Sequence, residues 1–159
     1  MTRALLSSLL VLAACAGSTR NFGETLDLEA HGYAEGLRWR RYDDAAARIL
    51  PAERERFLDA RDRIDKDLRI DDYEITRVHL GKGHRDAKVQ IVYTWHLDSV
   101  GVVHETTAEQ AWEVRGKDWF VVDEVRKVGE AMPGLSERSD AEDEGGEPDA
   151  GLAPKLPPE

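Results

Sequence analysis

Three polar side chains sit in the middle of apolar, alternating sequence: His104, Gln110 and Asp123. Each falls at a position whose neighbours two residues away are apolar or small, so each projects from a face otherwise filled by Val, Ile, Ala and Trp. A buried polar group is costly unless it is satisfied, so these groups either bond one another or line a wet cavity. A carboxylate against an apolar wall has its pKa raised, which suits a general base, and an imidazole nearby could share the proton. Tyr93 and Trp95 belong to the same face and add a hydroxyl and an indole N–H. These five residues are the candidate ligand-binding set, and His104 with Asp123 the candidate catalytic pair. The alternative is structural: His104 at a wet hairpin end, with Gln110 and Asp123 bonded to each other at the rim. The five histidines (His31, His79, His84, His96, His104) have no paired metal-ligand spacing. The stretch Gly81-Lys82-Gly83-His84 lacks the Ser or Thr after lysine and the upstream glycine of a phosphate loop. Neither a metal nor a cofactor is expected.

The elements that position these residues read as strands. Ala87 to Leu97 alternates, with Val89, Ile91, Tyr93, Trp95 and Leu97 on one face. A two-residue turn at Ser99-Val100 sets Trp95 opposite His104, Tyr93 opposite Thr106 and Ile91 opposite Ala108. A second turn at Gly116-Lys117, glycine first as a type II′ hairpin requires, sets Val114 opposite Trp119, Trp112 opposite Val121 and Gln110 opposite Asp123. Both turns put one set inward: Val102, His104, Thr106, Ala108, Gln110, Trp112 and Val114, then Trp119, Val121, Asp123 and Val125. Glu105, Thr107, Glu109, Glu113, Arg115 and Glu124 face outward. Arg69 to Leu80 supplies a preceding, bulged strand.

The first half reads as helices. Leu26, Ala30, Tyr33 and Leu37 share a face, and Tyr42, Ala46, Ile49 and Leu50 form a second face around Trp39, with Gly32 and Gly36 marking a bend. Pro51 opens another helix, on which Phe57, Arg61, Ile64 and Leu68 recur at helical spacing. The cluster Arg38-Trp39-Arg40-Arg41 reads as a solvated surface paired with Asp43 and Asp44. Helices followed by an antiparallel meander make an α+β fold, the helices covering the apolar face of the sheet.

At the amino terminus, Arg3 precedes an eleven-residue apolar run, Ala4–Ala14, and then the only cysteine, Cys15. This has the layout of a secretory signal, and the run is far short of the ~20 residues that span a bilayer. Leu12-Ala13-Ala14-Cys15 resembles the lipobox of bacterial lipoproteins. The resemblance implies a signal peptide at 1–14, diacylglycerol on the Cys15 sulfur and a lipidated tether at 15–25. It places the protein in the bacterial cell envelope with the membrane as a partner. The next residue is Ala16 rather than the aspartate that retains enterobacterial lipoproteins at the inner membrane. In a Gram-negative cell the expectation is therefore the periplasmic face of the outer membrane.

The chain has 159 residues, enough for one domain, and a formal charge of −10. That charge disfavours nucleic acid, whose affinity comes largely from phosphate neutralisation. The domain is expected at 26–132. From Pro133 to Glu159 eight acids stand against Arg138 and Lys155, with few large apolar residues, so 133–159 is expected to be a disordered acidic tail.

The order of elements, with Asp44-Ala45-Ala46-Ala47-Arg48-Ile49-Leu50 ending the helical half and Gln110-Ala111-Trp112 and Gly116-Lys117-Asp118-Trp119-Phe120-Val121-Val122 in the late strands, is similar to the NTF2-like (cystatin-like α+β) superfamily. The resemblance implies a cone-shaped sheet with a cavity at its wide end, and it assigns no function by itself. The expectation is a non-enzymatic envelope lipoprotein that binds a small hydrophobic ligand or an envelope protein. The alternatives are an isomerase-like enzyme using the polar cluster in the cone, and a structural spacer.

Overall fold

The computed structural model describes residues 22–137. Helix α1 runs Phe22–Arg38, α2 Tyr42–Ala46 and α3 Arg54–Ile64, with a single 3-10 turn at Pro51–Glu53 before α3. Four strands follow: β1 Leu68–Leu80, β2 Asp86–Leu97, β3 Val103–Arg115 and β4 Asp118–Gly129. They form one curved, open antiparallel sheet in the order β1-β2-β3-β4. The fold is α+β, helices first.

Leu26, Ala30, Tyr33, Ala34 and Leu37 recur at helical spacing on α1, and all are buried. That stripe lies on the concave face of the sheet against Val89, Ile91, Tyr93, Ala108, Trp112 and Val121. Removing a Leu- or Tyr-sized side chain from water contributes roughly 1.5–3 kcal/mol each, so this one helix face is a large part of the core energy. The helix runs unbroken through Gly32 and Gly36, and the chain leaves it only after Arg38. A Cβ on Gly36 would lie 2.7 Å from the Ala45 backbone nitrogen, so this glycine lets α2 cross α1 at close range. Arg40 ends the turn in the left-handed region (φ 58°), and the Arg41 N–H reaches back to the Gly36 carbonyl at 2.8 Å, closing the helix. Arg40 then pairs with Asp65 at the end of α3.

The second apolar face is shorter than its spacing suggested. Helix α2 stops at Ala46; Ile49 is extended and bridges Val121 in parallel, held by the Val121 N–H to the Arg48 carbonyl at 2.9 Å. Pro51 forces Leu50 into an extended conformation, which is why the helix cannot run on. Trp39 is exposed (60%), with Arg38 stacked on its ring, and Leu68 belongs to β1 rather than to α3. The arginine cluster is paired on the surface: Arg38 with Asp72, Arg40 with Asp65, Arg41 with Asp44.

The β2–β3 register matches the expected pairs: Trp95 with His104, Tyr93 with Thr106, Ile91 with Ala108. The connection is longer than two residues, with Val100 and Gly101 both donating to the Leu97 carbonyl and Gly101 at φ 71°. Beyond it, Val102 is solvent-exposed rather than inward. The second hairpin turns at Gly116-Lys117 with Gly116 at φ 67°, and pairs Val114 with Trp119 and Trp112 with Val121.

There the register changes. A bulge inserts Val122, so Ala111 faces Asp123 and Gln110 faces Glu124. One extra residue exchanges the two faces of a strand. Glu124, expected outside, therefore turns toward the core, while Asp123 is exposed. Asp123 spends its carboxylate on the bulge itself, accepting from the Glu124 N–H at 2.9 Å. Val125 pairs with Glu109 and leaves the inner face, and a second bulge follows between Ala108 and Thr107.

Two boundaries also differ. Phe22 to Thr25, assigned to the tether, are the first turn of α1, and the Trp119 indole donates to the Thr25 hydroxyl at 3.3 Å. Pro133 to Glu137, assigned to the tail, fold back beside β4. Ser136 bridges Val125, Met132 is buried, and Glu137 pairs with Arg126. The expected signal peptide, Cys15 and the acidic stretch from residue 138 lie outside the described residues.

Candidate functional site

Glu124 gathers three donors. Tyr33 of α1 donates to Oε2 at 3.0 Å; Tyr93 of β2 donates to Oε1 at 2.8 Å; the Gln110 amide of β3 donates to Oε1 at 2.9 Å. The Gln110 nitrogen also donates to the Tyr93 oxygen at 3.1 Å, and its carbonyl accepts from the Trp112 indole at 3.0 Å. Because indole N–H can only donate, this pairing fixes the amide orientation. Helix α1 and three strands thus meet at one carboxylate. Burial, followed by the Glu124 charge, pushes both the Tyr33 and Tyr93 phenols well above their ordinary value, so both hydroxyls remain donors.

This network floors a cleft of about 280 Å³ between α3 and β4. The mouth lies along the edge of β4 between the Ile49 bridge and the Ser136 bridge. Its apolar wall is Ile49, Leu50, Phe57 and Val121; Tyr33, Arg61 and Glu124 supply the polar floor; exposed Asp123 and Arg56, the latter paired with Glu53, stand at the rim. A larger groove of about 570 Å³ runs over Trp39, Tyr42 and Leu58 on the outer side of the helices. It is an open depression whose Asp65 is already engaged by Arg40 and Tyr42. The smaller cleft, backed by a buried polar network, is the better candidate.

Of the residues singled out from the sequence, Tyr93 and Gln110 come together, and Glu124 replaces Asp123 as their partner. Trp95 and His104 form a separate group, ring centroids 4.8 Å apart, near the β2–β3 hairpin. The Trp95 indole donates to Thr106 at 2.8 Å, and Thr106 donates on to the Glu130 carbonyl at 2.7 Å, so this tryptophan is satisfied within the core. His104 lies six residues from Gln110 along β3, roughly 20 Å at ~3.3 Å per residue. His104 stands near the start of β3, whereas Asp123 lies in mid-β4 opposite Ala111, so the fold does not bring the two together.

Tyr33 and Arg61 are the cleft residues that the strand pattern missed. Both were legible as inward positions on helices; what the sequence lacks is any sign that two remote helices converge on β4. Arg61 is 4% exposed, stacks at 5.1 Å over Phe57, and sits beside the Tyr33 hydroxyl.

Among the described residues no three His, Cys, Asp or Glu side chains converge as a metal site, and no helix is long and apolar enough to cross a membrane. No family model matches the chain, and no curated protein matches it.

Proposed function

We propose that this protein is an envelope lipoprotein, tethered by acylated Cys15, whose NTF2-like domain binds a small, largely apolar ligand without transforming it. The observation that supports the binding reading is the cleft between α3 and β4, apolar on its walls and polar on its floor. Glu124 supports holding over chemistry: three donors from its own fold already bond its two oxygens, so it ties the site to α1, β2 and β3. The curved sheet over helices supports the cone-like resemblance at the level of architecture. A protein partner is the second reading, favoured by Val100, Val102 and Val103, which are 51–61% exposed together at the β2–β3 hairpin tip.

The test is to extract the native lipidated protein from its own membranes and identify what accompanies it by mass spectrometry. The proposal expects a stoichiometric small molecule and a diacylated Cys15 at the amino terminus. Only polypeptides in the eluate would favour the second reading; an unmodified Cys15 would remove the anchor.

A further inference from the structure

Arg61 carries a guanidinium into the cleft wall that its own fold does not neutralise. The residue is 4% exposed, yet none of the arginine ion pairs among the described residues involves it. The Phe57 ring and the Tyr33 hydroxyl lie against it. Glu124, which lines the same cleft, already accepts from Tyr33, Tyr93 and Gln110. A guanidinium this enclosed and without an ion pair gains from a further acceptor. The chain also closes over it: Gly134 has φ 86°, and a Cβ there would lie 2.9 Å from an Arg61 terminal nitrogen. Only a glycine in this backbone conformation lets the 132–137 segment lie so near the side chain.

Resting on the binding reading above, we infer that the ligand is an amphiphile with a single carboxylate, held by Arg61, its apolar body against Phe57, Ile49, Leu50 and Val121. A guanidinium presents two parallel N–H groups that match a carboxylate, which gives orientation as well as affinity. The volume of about 280 Å³ suits a short chain or a single ring.

The test titrates the full chain with octanoate and, separately, with octanamide, by calorimetry and by the NMR signal of the Arg61 Nε–H. Octanoate should bind at least about tenfold tighter than octanamide and shift that signal. Arg61→Met should bind the two equally, and Arg61→Lys should keep part of the preference. Equal binding of both probes by the wild-type chain would overturn the carboxylate inference while leaving the binding cleft in place. Binding of neither probe would sink the cleft reading itself. The wild-type comparison decides the matter even where Arg61→Met does not fold.

Discussion

Glu124 and Asp123 are adjacent acids with opposite duties. Glu124→Ala would leave two phenols without their acceptor in the core and take one of two acceptors from the Gln110 amide. At about 1–3 kcal/mol for a buried unsatisfied group, shared over three donors that can partly re-pair, the loss should be about 3 kcal/mol. Asp123→Ala removes a single contact at an exposed bulge and should cost under about 1 kcal/mol. Urea unfolding followed by tryptophan fluorescence measures both. Equal losses, or a larger one at Asp123, would contradict the bulged register. A second residue-scale test concerns His96, which bridges Asp71 at 2.8 Å and Asp98 at 3.3 Å. The hydrogen bond to Asp71, then the charges of Asp71 and Asp98, raise its pKa above the ordinary 6.5. A raised folded-state value means the imidazolium favours the fold. Its contribution is full below 6.5 and is lost as pH rises through the folded-state value. Thermal melts should therefore give His96→Gln a deficit at about pH 5.5 that shrinks by about pH 8.5, where the imidazole is neutral. A deficit independent of pH would mean that His96 acts by packing alone.

At the scale of elements, the α1–α2 crossing is set by one glycine. Gly36→Ala drives a Cβ into the Ala45 backbone, which cannot swing aside, and should cost about 1–3 kcal/mol. Gly32→Ala meets only the end of the Arg48 side chain, which can move, so its cost should be smaller. Unfolding midpoints of the two variants check the order. The same residues show what sequence pattern can and cannot carry. Gly36 signals that something unusual happens on α1, but a bend and a close crossing use the same residue, and Ala45 is invisible to local spacing. The β2–β3 register was fully legible because both strands keep a strict period of two across their pairing. The β4 bulge was not: it contains no glycine, and Asp123-Glu124 reads as polar whichever acid faces inward. The Tyr33–Glu124–Tyr93–Gln110 network was half legible. The donors Tyr93 and Gln110 stood on the predicted face, whereas Tyr33 lies 91 residues from its acceptor, a separation no periodicity spans.

For the whole molecule, the 22–137 unit closes its exposed β4 edge at two places, by Ile49 and by Ser136, and leaves the cleft between them. Ending the chain after Glu130 would remove buried Met132, the Ser136 bridge and the Glu137 pair, and should lower the melting temperature by several degrees. Differential scanning calorimetry checks it. The proposed tether makes a separate demand: Cys15→Ser should release the protein from membranes without altering its melting temperature. The central claim is that the cleft over Tyr33, Arg61 and Glu124 holds a small molecule. Ala60 lines its mouth and is solvent-exposed, so Ala60→Trp can plug the entrance without touching the core. The most direct measurement is native mass spectrometry of wild type and Ala60→Trp purified side by side from the same cells. The account predicts a small-molecule adduct on the wild type that is absent from the variant at unchanged stability. An adduct retained by the plugged variant, or absent from both, would contradict it.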